Sequence, residues 1–198
     1  MSMLSAQIDK LNPILVQNNA TNEKIEELIE LHAFYAGMSG FASGILPGVA
    51  GIIAALSSAG VIWNMYYRIC RTLNIKISKN ALKALSSAVL TNISTQLLGV
   101  LAISLVTSWV PGVAVAATSV TCYGITYLAG YIFITLLTNV FKAVKNPDEM
   151  SEAELVAAGK AASKEVNRKK VFEAAREQGK ERLKNGEMTA ENTATIEE

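Results

Sequence analysis

His32 is the sole histidine of the 198-residue sequence, which excludes a multi-histidine metal site and argues against histidine-based acid–base catalysis. Following Glu30 at the edge of an apolar segment, it reads as an interfacial residue. Cys70 and Cys122 form neither a metal-type spacing nor a disulfide framework, so both read as packing residues. No glycine-rich loop ends in Lys-Ser or Lys-Thr, so the chain is not expected to hydrolyse a nucleotide. Polar side chains do occur inside apolar sequence, at Asn64, Thr91, Asn92, Thr95, Gln96 and Asn139. Asn92 and Gln96 lie one helical turn apart, a spacing that suits hydrogen bonds between packed helices. Tyr123, Tyr127 and Tyr131 recur every four residues, which makes a packing face. These features predict a protein with no catalytic centre, cofactor or metal.

The segments that must position these residues are unusually apolar. From Ala84 to Phe141 there is no Asp, Glu, Lys, Arg or His, and Pro111-Gly112 divides the run. About 20 apolar residues span a bilayer core, and each half exceeds that. The absence of an internal carboxylate or cation argues against ion-coupled transport. The net charge of +1 averages this run with a tail dense in both signs, and mixed signs exclude a nucleic-acid arm. Residues 1–30 are polar and lack the apolar core of a signal peptide.

Between Leu31 and Tyr67 small residues dominate. Gly40, Gly44 and Gly48 repeat every four residues, a spacing that lets helix backbones approach closely in lipid. Pro47-Gly48 breaks this segment into a first hairpin, residues 31–67. Its first arm has only about 15 apolar residues, roughly 22 Å of helix, so this hairpin is short for a crossing. The linker 68–83 carries Arg68, Arg71, Lys76, Lys79 and Lys83 with no acid, and it follows Trp63, Tyr66 and Tyr67. Aromatic rings at the headgroup level followed by cations mark a membrane boundary facing the cytoplasm. Ser78 is placed to cap a helix running from Lys79 to Trp109, and Trp109 would lie at the distal interface. The second hairpin, 79–142, echoes the first: Pro47-Gly48-Val49-Ala50 recurs as Pro111-Gly112-Val113-Ala114.

The expected fold is therefore all-α. A two-hairpin membrane-embedded bundle (31–145) with Pro-Gly turns follows a polar segment and precedes a charged helix within 146–185. That helix opens on a Ser151–Glu154 capping box, could reach Lys184, and leads into a disordered tail, 186–198. Both termini and the linker are expected on the cytoplasmic face.

The region from His32 to Phe141 also resembles a domain family of unknown function linked to Ras-like GTPases. Members are fused behind a GTPase domain or stand alone in the bacterial inner membrane. The residues that carry the resemblance are Gly44-Ile45-Leu46-Pro47-Gly48, Trp63-Asn64-Met65-Tyr66-Tyr67-Arg68-Ile69, Leu73-Asn74-Ile75 and Pro111-Gly112. The chain departs from the family at Val49 and Ala50, where an Asp is frequent, and at Asn64, where a Gln is frequent. The resemblance implies a membrane location, the inner membrane for a bacterial source, and a Ras-like GTPase as a partner. The leading expectation is a non-enzymatic integral membrane scaffold or anchor that forms homo-oligomers. The alternatives are an oligomeric membrane-permeabilising protein, associating through Gly40, Gly44 and Gly48, and a soluble oligomeric bundle.

Overall fold

The computed structural model describes residues 3–15, 19–44, 50–91, 93, 111–143 and 149–189, with 11–15, 19–20, 42–44, 50–58 and 111 as backbone only. Its helices are α1 (Met3–Leu15), α2 (Asn19–Gly44), α3 (Ala50–Thr72), α4 (79–91), α5 (Pro111–Ala143), α6 (Glu152–Glu165) and α7 (Arg168–Lys184). No strand occurs among the described residues, so the chain is all-α.

The axis of the molecule is α5, 33 residues long, or about 50 Å at 1.5 Å per residue. Every residue from Thr118 to Gly130 is buried, as expected of a helix that is apolar all round. Around it pack α1, α2, α3, α6 and α7. The hydroxyls of α5 tolerate this because several bond within their own helix. Thr121, Thr135 and Thr138 donate to the carbonyls of Ala117, Tyr131 and Ile134 at 2.6, 3.0 and 2.8 Å. Pro111 and Gly112, expected in a turn, are instead the first two residues of α5. Proline suits that position, because its missing N–H would have no partner in the first turn. Pro47, Gly48, Asn92, Gln96 and Trp109 lie outside the described residues.

Small residues set the closest helix approaches. A Cβ built on Gly40 of α2 would lie 3.1 Å from the Ser119 Cα and the Thr118 carbonyl of α5. Gly44 ends α2. Ser119 donates to the Gly37 carbonyl at 2.8 Å and ties the same two helices. Gly159 of α6 rests on Ala88 of α4, and Gly179 of α7 rests on the Tyr123 ring.

Local chemistry fixes the helix ends. At the end of α3, Asn74 adopts φ 56°. Asn74 N–H donates to the Arg71 carbonyl at 3.1 Å and Ile75 N–H to Cys70 at 2.9 Å, the paired bonds of a Schellman motif. Ser78 caps α4 by accepting from Ala81 N–H at 3.2 Å, and the Ser151–Glu154 capping box opens α6. The charged helix expected to run to Lys184 is broken at Val166. There Asn167 takes over as a cap, accepting from Lys170 N–H at 3.1 Å, and starts α7.

The disordered tail expected from Gly186 onward also needs correction. Gly186, at φ 73°, closes a second Schellman motif and turns the chain back across the bundle. Met188 is then buried between Gly37 and Ser119, and its sulfur accepts from the Ser119 hydroxyl at 3.2 Å. Residues 190–198 lie outside the described residues.

Candidate functional site

The C-terminal half of α3 is amphipathic and carries the aromatic and basic residues singled out in the sequence. Ile62, Met65, Tyr66, Ile69, Cys70 and Leu73 are buried at helical spacing, and Trp63, Asn64, Tyr67, Arg68 and Arg71 face out. Tyr67 is 55% exposed and Trp63 39% exposed. Tyr66, expected at a headgroup interface beside them, is instead fully buried. Its ring stacks on Phe133 of α5 at 4.0 Å with 14° between planes, and its hydroxyl donates to the Ala129 carbonyl at 3.2 Å. Lys76, Lys79 and Lys83 are exposed and extend the basic surface past the helix end.

Arg68 and Arg71 do more than border this surface. With Thr72 they line a cleft of about 460 Å³ whose other wall is Thr21, Lys24 and Leu28 of α2. Sequence spacing missed the second wall, because Lys24 and Leu28 meet Arg68 and Arg71 only once α2 packs against α3. Lys24, Leu28 and His32 then align at i, i+4 and i+8 along it.

His32 is buried beneath Leu28, not interfacial. Its Nδ1 lies 2.7 Å from the Leu28 carbonyl, which can only accept, so Nδ1 carries the proton. Burial, with a smaller contribution from the Arg68 charge, holds its pKa below the ordinary 6.5 and outweighs that hydrogen bond. A lowered folded pKa means that the unfolded chain takes the proton first. His32 therefore contributes stability above about pH 6.5 that is lost as pH falls through the folded value. Urea unfolding between about pH 7.5 and pH 5.5 is expected to show stability falling on acidification, with a shallower slope in His32→Gln. An unchanged slope in the variant would remove His32 as the cause. Glu30, raised by burial, acts in the opposite sense and in the carboxylate range, so this window separates the two.

A second polar cluster joins α7 to α2 and α5. Arg182 bonds Glu187 at 2.8 Å and Glu30 at 3.4 Å, lies 5.9 Å from the centre of the Phe34 ring, and lines one pocket with Tyr123. Exposure of about a third on both sides limits the Arg182–Glu30 pair to the modest energies of surface ion pairs. Its role is alignment: it orients α7 along the Tyr123–Tyr127 face of α5, whose rings lie 6.5 Å apart. Both cysteines are buried thiols, and burial pushes the Cys70 pKa up to about 12, so it is a poor nucleophile. Among the described residues no three His, Cys, Asp or Glu side chains converge as metal ligands.

One described helix, Gly112–Ala143, is long and apolar enough to cross a membrane, and 94% of its most apolar window is buried inside the protein. A core helix of a water-soluble bundle meets the same description. Compared with known proteins, the chain matches no family model, no curated protein and no solved structure.

Proposed function

We propose that this protein is a non-enzymatic, membrane-associating scaffold that stows a bilayer-spanning hairpin inside a helical bundle. The observation that carries this reading is α5 itself, charge-free to Phe141 yet sheathed by two of the most charged helices of the chain. Of the 17 residues of α7, ten are Lys, Arg or Glu. Holding a Lys or Arg at the centre of a membrane helix costs roughly 2.5–3.5 kcal/mol on insertion scales. Lipid therefore cannot surround α5 while α7 lies along it, and the two arrangements exclude each other. In water, α6 and α7 complete the cover of α5 that α1, α2 and α3 begin. At a bilayer they leave, the run 84–141 inserts as the second hairpin of the two-hairpin membrane domain, and the charged helices remain outside to hold a partner.

The basic linker and both termini stay on the cytoplasmic side, since short loops rich in Lys and Arg resist transfer. The family resemblance makes a Ras-like GTPase the partner class. Self-association through Gly40 belongs to the inserted state, because in the bundle that glycine is already packed against α5.

The test uses full-length protein prepared without detergent. Mixed with phosphatidylcholine vesicles and washed with alkaline carbonate, a substantial fraction is expected to stay with the lipid. Complete release from vesicles, and from native membranes washed in the same way, would remove the insertion. Dye leakage from vesicles carrying carbonate-resistant protein would replace the scaffold with a permeabilising role.

A further inference from the structure

We propose that the cleft between α2 and α3 is a phosphate-binding site, in which Lys24, Arg68 and Arg71 neutralise a phosphomonoester and Thr72 offers a hydroxyl to it. The fold brings three cations, one from α2 and two from α3, to one cleft. None of the three is in an ion pair among the described residues. Like charges held together destabilise the fold unless a counter-charge arrives, and no carboxylate lines this cleft among the described residues.

Helix dipoles do not account for the cluster. Arg71, in the last turn of α3, is favoured there, but Lys24 sits in the second turn of α2, toward the end where acids are favoured. Thr72 adds a hydroxyl donor beside the two guanidinium groups, a set that suits a compact tetrahedral anion. A guanidinium presents paired N–H donors that match two phosphate oxygens. The cleft opens on the same side of α3 as exposed Arg68 and Tyr67, and the acid-free stretch to Lys83 continues its positive field.

A monoester phosphate reaches this site either as a lipid headgroup or as a free ion or nucleotide, and binding of either kind is independent of the hairpin's release. Lys24, Arg68 and Arg71 are exposed, so replacing them by Gln leaves the core intact. Inorganic phosphate is titrated into the full-length protein by calorimetry. In parallel, co-sedimentation compares phosphatidylcholine vesicles containing phosphatidic acid with vesicles of equal charge containing phosphatidylserine.

The expected result is binding that weakens about tenfold or more in the Arg68→Gln, Arg71→Gln double variant, as loss of charge-assisted hydrogen bonds requires. The Lys76→Gln, Lys83→Gln double variant loses the same charge outside the cleft and is expected to bind within about twofold of the parent. A preference for phosphatidic acid with no response to inorganic phosphate assigns a lipid headgroup, and a calorimetric response assigns a soluble phosphate. Equal binding to the two anionic vesicles, or equal losses in the two double variants, overturns the site in favour of a diffuse positive surface. Absence of both responses overturns it as well.

Discussion

Phe133→Ala is expected to destabilise the bundle by about 3–5 kcal/mol, among the largest losses available to a single truncation in this chain. Phe133 is fully buried, and its ring lies flat against Tyr66 at 4.0 Å, so removing it opens a cavity between α5 and α3. The backbone cannot close that cavity easily, because the Tyr66 hydroxyl is anchored one turn away on the Ala129 carbonyl. For a chain of this size the loss corresponds to a fall in Tm of about 10 °C. Two companions calibrate it. Tyr66→Phe removes only the hydroxyl and is expected to cost about 1 kcal/mol. Tyr67→Ala, on the exposed neighbour, should stay within about 0.5 kcal/mol. Denaturant unfolding in detergent-free buffer reads all three. Equal midpoints for Phe133→Ala and Tyr67→Ala would mean that α3 does not pack on α5 in water, and the bundle would lose its basis.

The contrast between adjacent tyrosines also marks where sequence reasoning stopped. Helix starts are local chemistry, so Ser78 and the Ser151–Glu154 box were readable from spacing alone. Which face of a helix meets another helix is not local. Trp63, Tyr66, Tyr67, Arg68 and Arg71 look like one boundary cluster when taken by composition. Taken by helical period, Tyr66 belongs with Ile62, Ile69 and Leu73 on the inward face, and that signal was present in the sequence. The sheath was harder to see. α7 has few large apolar residues, and it buries Val171, Ala175 and Gly179 at four-residue intervals. A count of large hydrophobics misses a contact made by small side chains, in which α5 supplies the bulk through Tyr123. The break at Asn167 went unread, because the polar pattern continues unbroken on either side of it. Lys24 escaped because it belongs to a cleft only once α3 is folded against α2.

The charge-free run from Ala84 to Phe141 was legible without any structure, yet its meaning changed once its neighbours were in place. A run of that length admits two solvents: lipid, or the interior of a bundle large enough to cover it. Of the helices that cover it, α6 and α7 come after it in the chain, and their amphipathicity is weak enough to read as solvated. Marginal sheathing of this kind is what a reversible release of α5 requires, since a strongly apolar α7 would hold it shut.

Detaching α7 is accordingly expected to have the largest effect on membrane association, in opposite directions for two variants. Ala175 is buried on α7, which packs along α5, and Ala175→Asp places a carboxylate there. Burying it unpaired costs several kcal/mol, and the cheapest relief is for α7 to leave α5. Partition into phosphatidylcholine vesicles is expected to rise about tenfold, the ratio set by roughly 1.4 kcal/mol of differential stability. Lys169→Asp, an exposed charge reversal on the same helix, is expected to leave partition within about twofold of the parent. The opposing variant locks the sheath. A Cβ on Gly179 lies 3.3 Å from that of Tyr123, close to the separation a disulfide spans, so Gly179→Cys with Tyr123→Cys on a Cys122→Ala background bridges α7 to α5. Oxidised, this protein should remain in the supernatant after mixing with vesicles and carbonate washing, and a reductant should restore its insertion. If the oxidised and reduced forms insert equally, α7 need not move and the stowed hairpin is wrong. Failure of Ala175→Asp to gain affinity, with its helical content preserved, would count equally against it.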